Sequence, residues 1–148
     1  MNDNDLKTNK EKSILIFSFH YFPDQSAGAL RTKLLVEKLK DIEKEINITV
    51  LCSIPRRYGQ KYTLKNKSNI KIPIKTTDIN IKRVWIPYLG QSVLGTTISY
   101  MIYFFQGLFI SLFIRPNIIL ATSAKLLTSF LATLSAKLTG AKLFIDIR

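Results

Sequence analysis

The first segment with a chemical signature contains Ser26, Gly28 and Arg31. Ser26 is a candidate N-cap and Gly28 opens the helix, because leucines recur at helical spacing from here on. Free N–H groups and the positive dipole end at a helix N-terminus attract anions, and glycine allows close approach of the backbone. Arg31 lies in the first turn, where a cation is unfavourable unless an anion compensates. The pattern predicts a phosphate site; the alternative is a turn glycine beside a cap and a solvated arginine.

Two residues are candidate proton acceptors. His20 follows the first apolar run, and an imidazole titrates near neutral pH, which suits a general base. The sequence shows no partner that would orient its ring. Asp146 lies near the end of the last apolar run, and its carboxylate has the same chemical capacity, although a capping or structural role explains it equally well.

Further candidates for binding an anion stand elsewhere in the chain. Ser123 and Lys125 follow another apolar run, where the alternative is a solvated helix start, and Arg148 lies beside Asp146 in the same predicted site. Arg56 and Arg57 belong to a long polar, basic segment. Attraction to an anionic membrane surface explains this pair as well as binding of substrate does.

The formal net charge of +12 predicts an anionic partner. The basic residues are scattered and form no basic helix or nucleic-acid-binding motif, so the sequence argues against DNA or RNA as that partner. A single cysteine, Cys52, permits no internal disulfide and is expected in the core, which fits a cytoplasmic protein. Residues 1–12 are polar, lack the apolar core of a signal peptide, and are predicted to be a disordered tail.

A long uncharged run, Thr96–Ile114, has three interpretations. At about 28 Å it is close to the hydrocarbon thickness of a bilayer, so it is a candidate membrane span. Gln106 within the run, and its position between two core strands, argue against a span. The favoured interpretation is a helix on the sheet whose aromatic face, formed by Tyr100, Tyr103 and Phe104, dips into the membrane interface. The third is a fully buried core helix.

These candidates must be positioned by strands that alternate with helices. Five short apolar runs predict strands at Ser13–Phe19, Ile46–Cys52, Ile79–Ile86, Asn117–Ala121 and Ala141–Ile147. A bulge at Lys82 and Arg83 is expected, because the alternation in the third run slips there. Helices are predicted after the first run, with an apolar stripe, and at Leu126–Leu138, ended by Gly140. The stripe consists of Leu30, Leu34, Leu35, Leu39 and Ile42.

This order predicts one α/β domain over residues 13–148, an open parallel sheet with helices on both faces. Ligands of such sheets bind outside the carboxyl ends of the strands. That edge is where His20, Gly28, Ser123 and Asp146 are expected to lie.

Three segments resemble the N-terminal domain of family 4 glycosyltransferases that assemble O-antigen and capsule. They are FHYFPDQSAGALRTKLLVEKL (19–39), PNIILATSAKLLTSFLA (116–132) and GAKLFIDIR (140–148). The resemblance implies the Rossmann-like N-terminal half of a GT-B fold and no bound metal or other cofactor. It also implies that this half takes the acceptor, while a C-terminal domain, absent from this sequence, holds the nucleotide sugar.

The chain departs from that family at two places. Similar enzymes carry Gly-His where Lys44 and Glu45 stand, and two prolines where Ala124 and Lys125 stand. The resemblance implies transfer of a sugar from a nucleotide-sugar donor to a lipid-linked glycan, by a peripheral protein at the inner face of the cell membrane. The alternatives are a non-catalytic membrane-binding subunit that recruits a separate donor-binding chain, and an inactive truncated product.

Overall fold

The computed structural model describes residues 12–24, 26–54, 79–87, 92–123 and 126–147, and of Ser123 and Ile147 only the backbone. Its strands are β1 (Ser13–Phe17), β2 (Asn47–Ser53), β3 (Ile79–Val84), β4 (Ile118–Ser123) and β5 (Lys142–Ile147). Its helices are α1 (Ala27–Ile42), α2 (Val93–Ile114) and α3 (Leu126–Thr139). The predicted tail lies outside the described residues except for Lys12, whose carbonyl accepts a hydrogen bond from Asn47 N.

The five strands form one all-parallel sheet in the order β3-β2-β1-β4-β5. The predicted α/β class, a Rossmann-like open sheet, is thereby confirmed. From the central strand β1 the chain builds outward through β2 and β3 on one side, and then through β4 and β5 on the other. Such a reversal of strand order opens a crevice at the carboxyl ends of β1 and β4, which is the usual place for a ligand.

The sheet separates two hydrophobic clusters. Helix α1 packs on one face, where Val36 and Leu39 meet Ile16, Ile48 and neighbouring strand residues. Helices α2 and α3 pack on the opposite face, where Tyr103 and Leu131 meet side chains such as Phe17. Because both faces are covered near β1 and β2, these strands are apolar almost without interruption.

Helix α1 begins and α3 ends as predicted. The Ser26 hydroxyl accepts a hydrogen bond from Ala29 N at 3.2 Å, which makes Ser26 the N-cap. Gly140 follows α3 with φ of +74°, a conformation that glycine adopts without strain, and Gly140 N donates to Ala136 O.

The predicted apolar stripe of α1 differs in part from the side of the helix that is buried. Leu30, Leu34 and Ile42 are exposed, and Leu35 and Leu39 are half-buried. The buried positions are Ala29, Thr32, Val36 and Lys40. Small side chains let the helix axis approach the sheet, and Lys40 satisfies its ammonium by donating to the carbonyls of Lys44 and Ile46.

The bulge expected at Lys82 and Arg83 is absent from β3, which pairs with β2 residue by residue from Ile79 to Val84. The alternation slips because the strand changes the face that it buries. Ile79 and Ile81 pack with the α1 cluster, whereas Val84 packs with the α2–α3 cluster. On this strand a switch of buried face produces the sequence pattern that a bulge would also produce.

Candidate functional site

The loop that follows β1 is held in place by hydrogen bonds to its carbonyls. Ser53 Oγ donates to Phe19 O at 2.7 Å, and Ser18 Oγ donates to His20 O at 2.7 Å. Arg83 Nη2, from the edge strand β3, donates to Phe22 O at 2.6 Å. Side chains from three adjacent strand ends therefore fix this one loop at the carboxyl edge of the sheet.

Within the loop, His20 has an orienting partner that sequence reasoning missed. Its Nδ1 lies 3.1 Å from Asp24 Oδ2. The Asp24 side chain is 1% exposed and that of His20 is 25% exposed, so the carboxylate is buried behind the ring. When Nδ1–H donates to Asp24, the neutral ring keeps a lone pair on Nε2. The pair has the arrangement of an oriented general base. The signal in the sequence that could have indicated this pair is the spacing of four residues within a turn-rich segment.

The second oxygen of Asp24 is also buried. Asp24 Oδ1 has no hydrogen-bond partner among the described residues, as is also true of the Tyr21 hydroxyl. A buried carboxylate oxygen that lacks a partner costs free energy, so positions of this kind tend to be kept for function.

Arg83 is the other site residue that the sequence analysis did not single out. Besides Phe22 O, its Nη1 lies 3.5 Å from Ser53 O and 3.6 Å from Cys52 Sγ. A planar guanidinium with several donors can hold several acceptors at once. The sequence predicts a bulge at Arg83, whereas in the structure its side chain ties the β1 loop to β2.

The predicted phosphate residues lie at the start of α1, directly after this loop. The Ser26 hydroxyl is occupied as the N-cap, and nothing lies within 4 Å of where a Cβ on Gly28 would be. Gly28 and Arg31 are exposed. The chain connects this helix start with the His20 loop, so a base and a helix N-terminus share one edge of the sheet.

The structure describes only some of the remaining predicted site residues. Asp146 lies near the end of β5, paired in register with Thr122 of β4, and is half-buried. Ser123 ends β4 at the same edge, but its side chain is outside the described residues. Four further candidates are outside the described residues altogether, and their predicted roles stay predictions: Lys125, Arg148, Arg56 and Arg57.

The prediction that Tyr103 and Phe104 form an exposed aromatic face was wrong. Tyr103 is 2% exposed and Phe104 is 7% exposed. The Tyr103 hydroxyl donates to Leu51 O at 2.9 Å, and Phe104 stacks on Phe130 of α3. Tyr100 is half-buried and contacts Phe19, whose ring also meets His20. These rings therefore link α2 to the site instead of facing outward.

A different set of α2 side chains is exposed. The apolar face, as we call it, comprises Leu94, Ile98, Met101, Phe105, Phe109 and Phe113 of α2 with Leu126 and Phe130 of α3. Helix α2 is long and apolar enough to cross a membrane, yet its inner side packs on the sheet. A Cβ added to Gly107 would lie 2.8 Å from Leu131 Cδ2, which shows how closely the helix approaches its neighbours.

Burial controls the ionisation of the groups beneath the site. Burial raises the pKa of the Cys52 thiol to about 12, while the nearby Arg83 lowers it. Burial likewise raises the pKa of Tyr21 to about 12 and that of Tyr103 well above its ordinary value. Cys52 is therefore a protonated core thiol, not a nucleophile.

The comparisons with known proteins bear on the fold. No protein-family profile and no curated protein matches the sequence. Among solved structures, the chain is similar to the C-terminal domain of a hydrogenase from Pyrococcus furiosus, with a TM-score of 0.57 and 10% identity. The match covers 93% of this chain and 91% of that one. At such low identity the likeness concerns the α/β architecture alone.

Proposed function

We propose that this chain is the acceptor-side, N-terminal part of a glycosyltransferase of surface polysaccharide synthesis. In this role it works with a donor-binding domain or partner chain that holds the nucleotide sugar. The acceptor is a lipid-linked glycan at the inner face of the membrane. The proposal is supported by the three motif segments, whose order suits a Rossmann-like half, and by the site at the carboxyl edge of the sheet.

The single observation that carries the proposal is the His20–Asp24 pair. Glycosyl transfer to a hydroxyl acceptor requires that the hydroxyl lose its proton as the glycosidic bond forms and the sugar–diphosphate bond breaks. Nε2 of an imidazole that donates from Nδ1 to a buried carboxylate is suited to accept that proton. Gly28 and Arg31, at the exposed start of α1, are suited to the diphosphate of a lipid carrier. Asp146, at the same edge, is the alternative base.

A second candidate function is a non-catalytic, membrane-binding subunit that recruits the donor-binding chain. The exposed apolar face of α2 and α3 favours it, since catalysis alone does not require such a surface. The two candidates differ in whether His20 takes part in chemistry.

A transfer assay separates them. The chain is joined to or mixed with a donor-binding domain, with a polyprenyl diphosphate glycan as acceptor and radiolabelled nucleotide sugars as donors. We expect His20→Gln to lower kcat by about a hundredfold or more, since general base catalysis contributes that much. Asp24→Asn should lower kcat less, because the ring remains but its tautomer is no longer set.

Arg31→Ala and Lys38→Ala form a matched pair on α1. Arg31→Ala should raise KM about tenfold or more if Arg31 binds phosphate, whereas Lys38→Ala should change neither KM nor kcat, because Lys38 is a solvated residue paired with Asp41.

Full turnover in both His20→Gln and Asp24→Asn would show that the His20–Asp24 pair is structural. Absence of transfer with every donor, together with retained membrane binding, would support the second candidate.

A further inference from the structure

The helix layer formed by α2 and α3 differs from the rest of the molecule in charge. Helix α2 contains no charged residue in its 22 residues, and α3 contains only Lys137. Neither helix carries an acidic side chain. In contrast, α1 carries charges of both signs along its length.

The exposed side chains of this layer form the apolar face. On α2, Leu94, Ile98, Met101, Phe105 and Phe109 recur every three or four residues and so lie along one side of the helix. Phe113 continues the row and is 85% exposed. Helix α2 is about 33 Å long, from its 22 residues at 1.5 Å each, so the row is a continuous apolar strip.

Helix α3 widens the strip. Leu126 and Phe130 are exposed and lie one turn apart, and Phe130 stacks on Phe104 of α2 with ring centroids 5.7 Å apart. Contiguous apolar surface on two adjacent helices marks a contact with an apolar partner.

Positive charge adjoins the strip at the end where α2 and α3 terminate. Lys137 lies in the last turn of α3 and is exposed, and the exposed Arg115 caps the C-terminus of α2. An apolar strip rich in phenylalanine, on two helices that contain no acidic residue and with cations at one end, complements the interface of an anionic bilayer.

The inner side of α2 decides how the helix meets the lipid. The hydrogen bond from the Tyr103 hydroxyl to Leu51 O and the close packing at Gly107 hold α2 against β2 and β1. A helix that crossed the bilayer would give up both contacts. Held against the sheet, α2 can offer lipid only its outer side, along its whole length.

We propose that the apolar face of α2 and α3 is a monotopic membrane-docking surface that lies flat in the interface of an anionic bilayer. Tyr100, on the inner side of the same helix, contacts Phe19 beside His20. Docking by this face therefore brings the candidate site close to the bilayer. The inference does not depend on glycosyl transfer, because lipid binding is measured without any sugar donor.

The experiment uses the whole 148-residue chain and vesicles of phosphatidylcholine with or without phosphatidylglycerol, separated by flotation. The chain should bind the anionic vesicles more strongly, and added salt should weaken but not abolish the binding. The double variant Phe109→Ser/Phe113→Ser should lower the partition coefficient about tenfold or more, since each ring loses its burial in lipid.

Phe144→Ser is the matched control. Phe144 is 55% exposed, but it pairs in register with Leu120, which packs with the α1 cluster on the other face of the sheet. Its replacement should leave vesicle binding unchanged. Circular dichroism and the thermal midpoint of each variant show that the fold is retained.

A fluorescent label reports which side enters the lipid. Cys52 is buried and should not react, so nitrobenzoxadiazole can be placed through Phe113→Cys or, on α1, through Leu34→Cys. Doxyl lipids should quench the label at position 113 and leave the label at position 34 unquenched. The proposal is overturned if neither vesicle binds, if Phe144→Ser weakens binding as much as the double variant, or if the strip mediates self-association in place of lipid binding.

Discussion

Helices α1 and α2 cover opposite faces of the same sheet, and they do so with opposite chemistry. Helix α1 has charged residues between its leucines and buries small or polar positions such as Ala29 and Thr32. Helix α2 has no charge, buries Tyr103, Phe104, Gly107 and Ser111, and leaves most of its large apolar side chains exposed. The apolar content of a helix therefore does not measure how much of it the protein buries.

The difference follows from what each helix contacts. A helix on a sheet buries only the narrow side that faces the strands, and small residues on that side allow the closest packing. On α1, lysines and acids solvate the remaining circumference. On α2, only uncharged polar side chains such as Thr96 and Thr97 interrupt the exposed circumference, which is therefore mainly apolar. Two pairs of substitutions and one single substitution test this comparison, from the largest expected effect to the smallest.

Phe17 and Phe144 contrast a buried with an exposed phenylalanine in the sheet. Phe17 is fully buried in the α2–α3 cluster, so Phe17→Ala should lower the free energy of unfolding by about 3–5 kcal/mol. Phe144→Ala should change it by about 0.5 kcal/mol or less. Urea denaturation followed by circular dichroism measures both. Similar losses at the two positions would show that the exposed side of β5 is covered in solution.

Gly107 and Gly28 form a matched pair of helical glycines. A Cβ on Gly107 meets the side chains of Leu131, Leu51 and Phe17, whereas a Cβ on Gly28 meets nothing within 4 Å. Gly107→Val should therefore destabilise the fold by about 1–3 kcal/mol through overpacking. Gly28→Ala should stabilise it by about 0.4–1 kcal/mol through backbone entropy. An unchanged thermal midpoint in Gly107→Val would mean that α2 is not held against the sheet.

Cys52 tests the α1 face through pH. Because its pKa in the folded chain is about 12, against an ordinary value of 9.0, the unfolded chain loses this proton first as the pH rises. The stabilisation is fully present below pH 9 and is lost as the pH rises towards 12, by about 1 kcal/mol at pH 10. Tyr21, with its pKa raised in the same way, adds to the loss above pH 10.

Cys52→Ala should flatten this alkaline dependence between pH 8 and about pH 10, whatever it does to stability at neutral pH. The measurement is the free energy of unfolding from urea titrations across that range. A slope identical to that of the unsubstituted chain would show that the thiol ionises in the folded protein, and hence that the α1 cluster admits water.

The sequence by itself was sufficient for the class of the fold and for the chemistry at the helix ends. An apolar run such as Ser13–Phe19 is typical of a strand in a sheet covered on both faces, and Ser26 and Gly140 act through their immediate neighbours in the chain. Local causes of this kind are visible in local sequence.

The tertiary structure alone decided which side of each helix is buried and which residues meet across the sheet. Tyr103 and Phe113 look equivalent in an uncharged run, and only the position of the sheet makes one core and the other surface. Arg83 lies far along the chain from Phe22, and the two meet because β3 and β1 end at one edge. Contacts between elements distant in sequence depend on strand order and on the angle of each helix, and the free energy of packing the whole domain selects both.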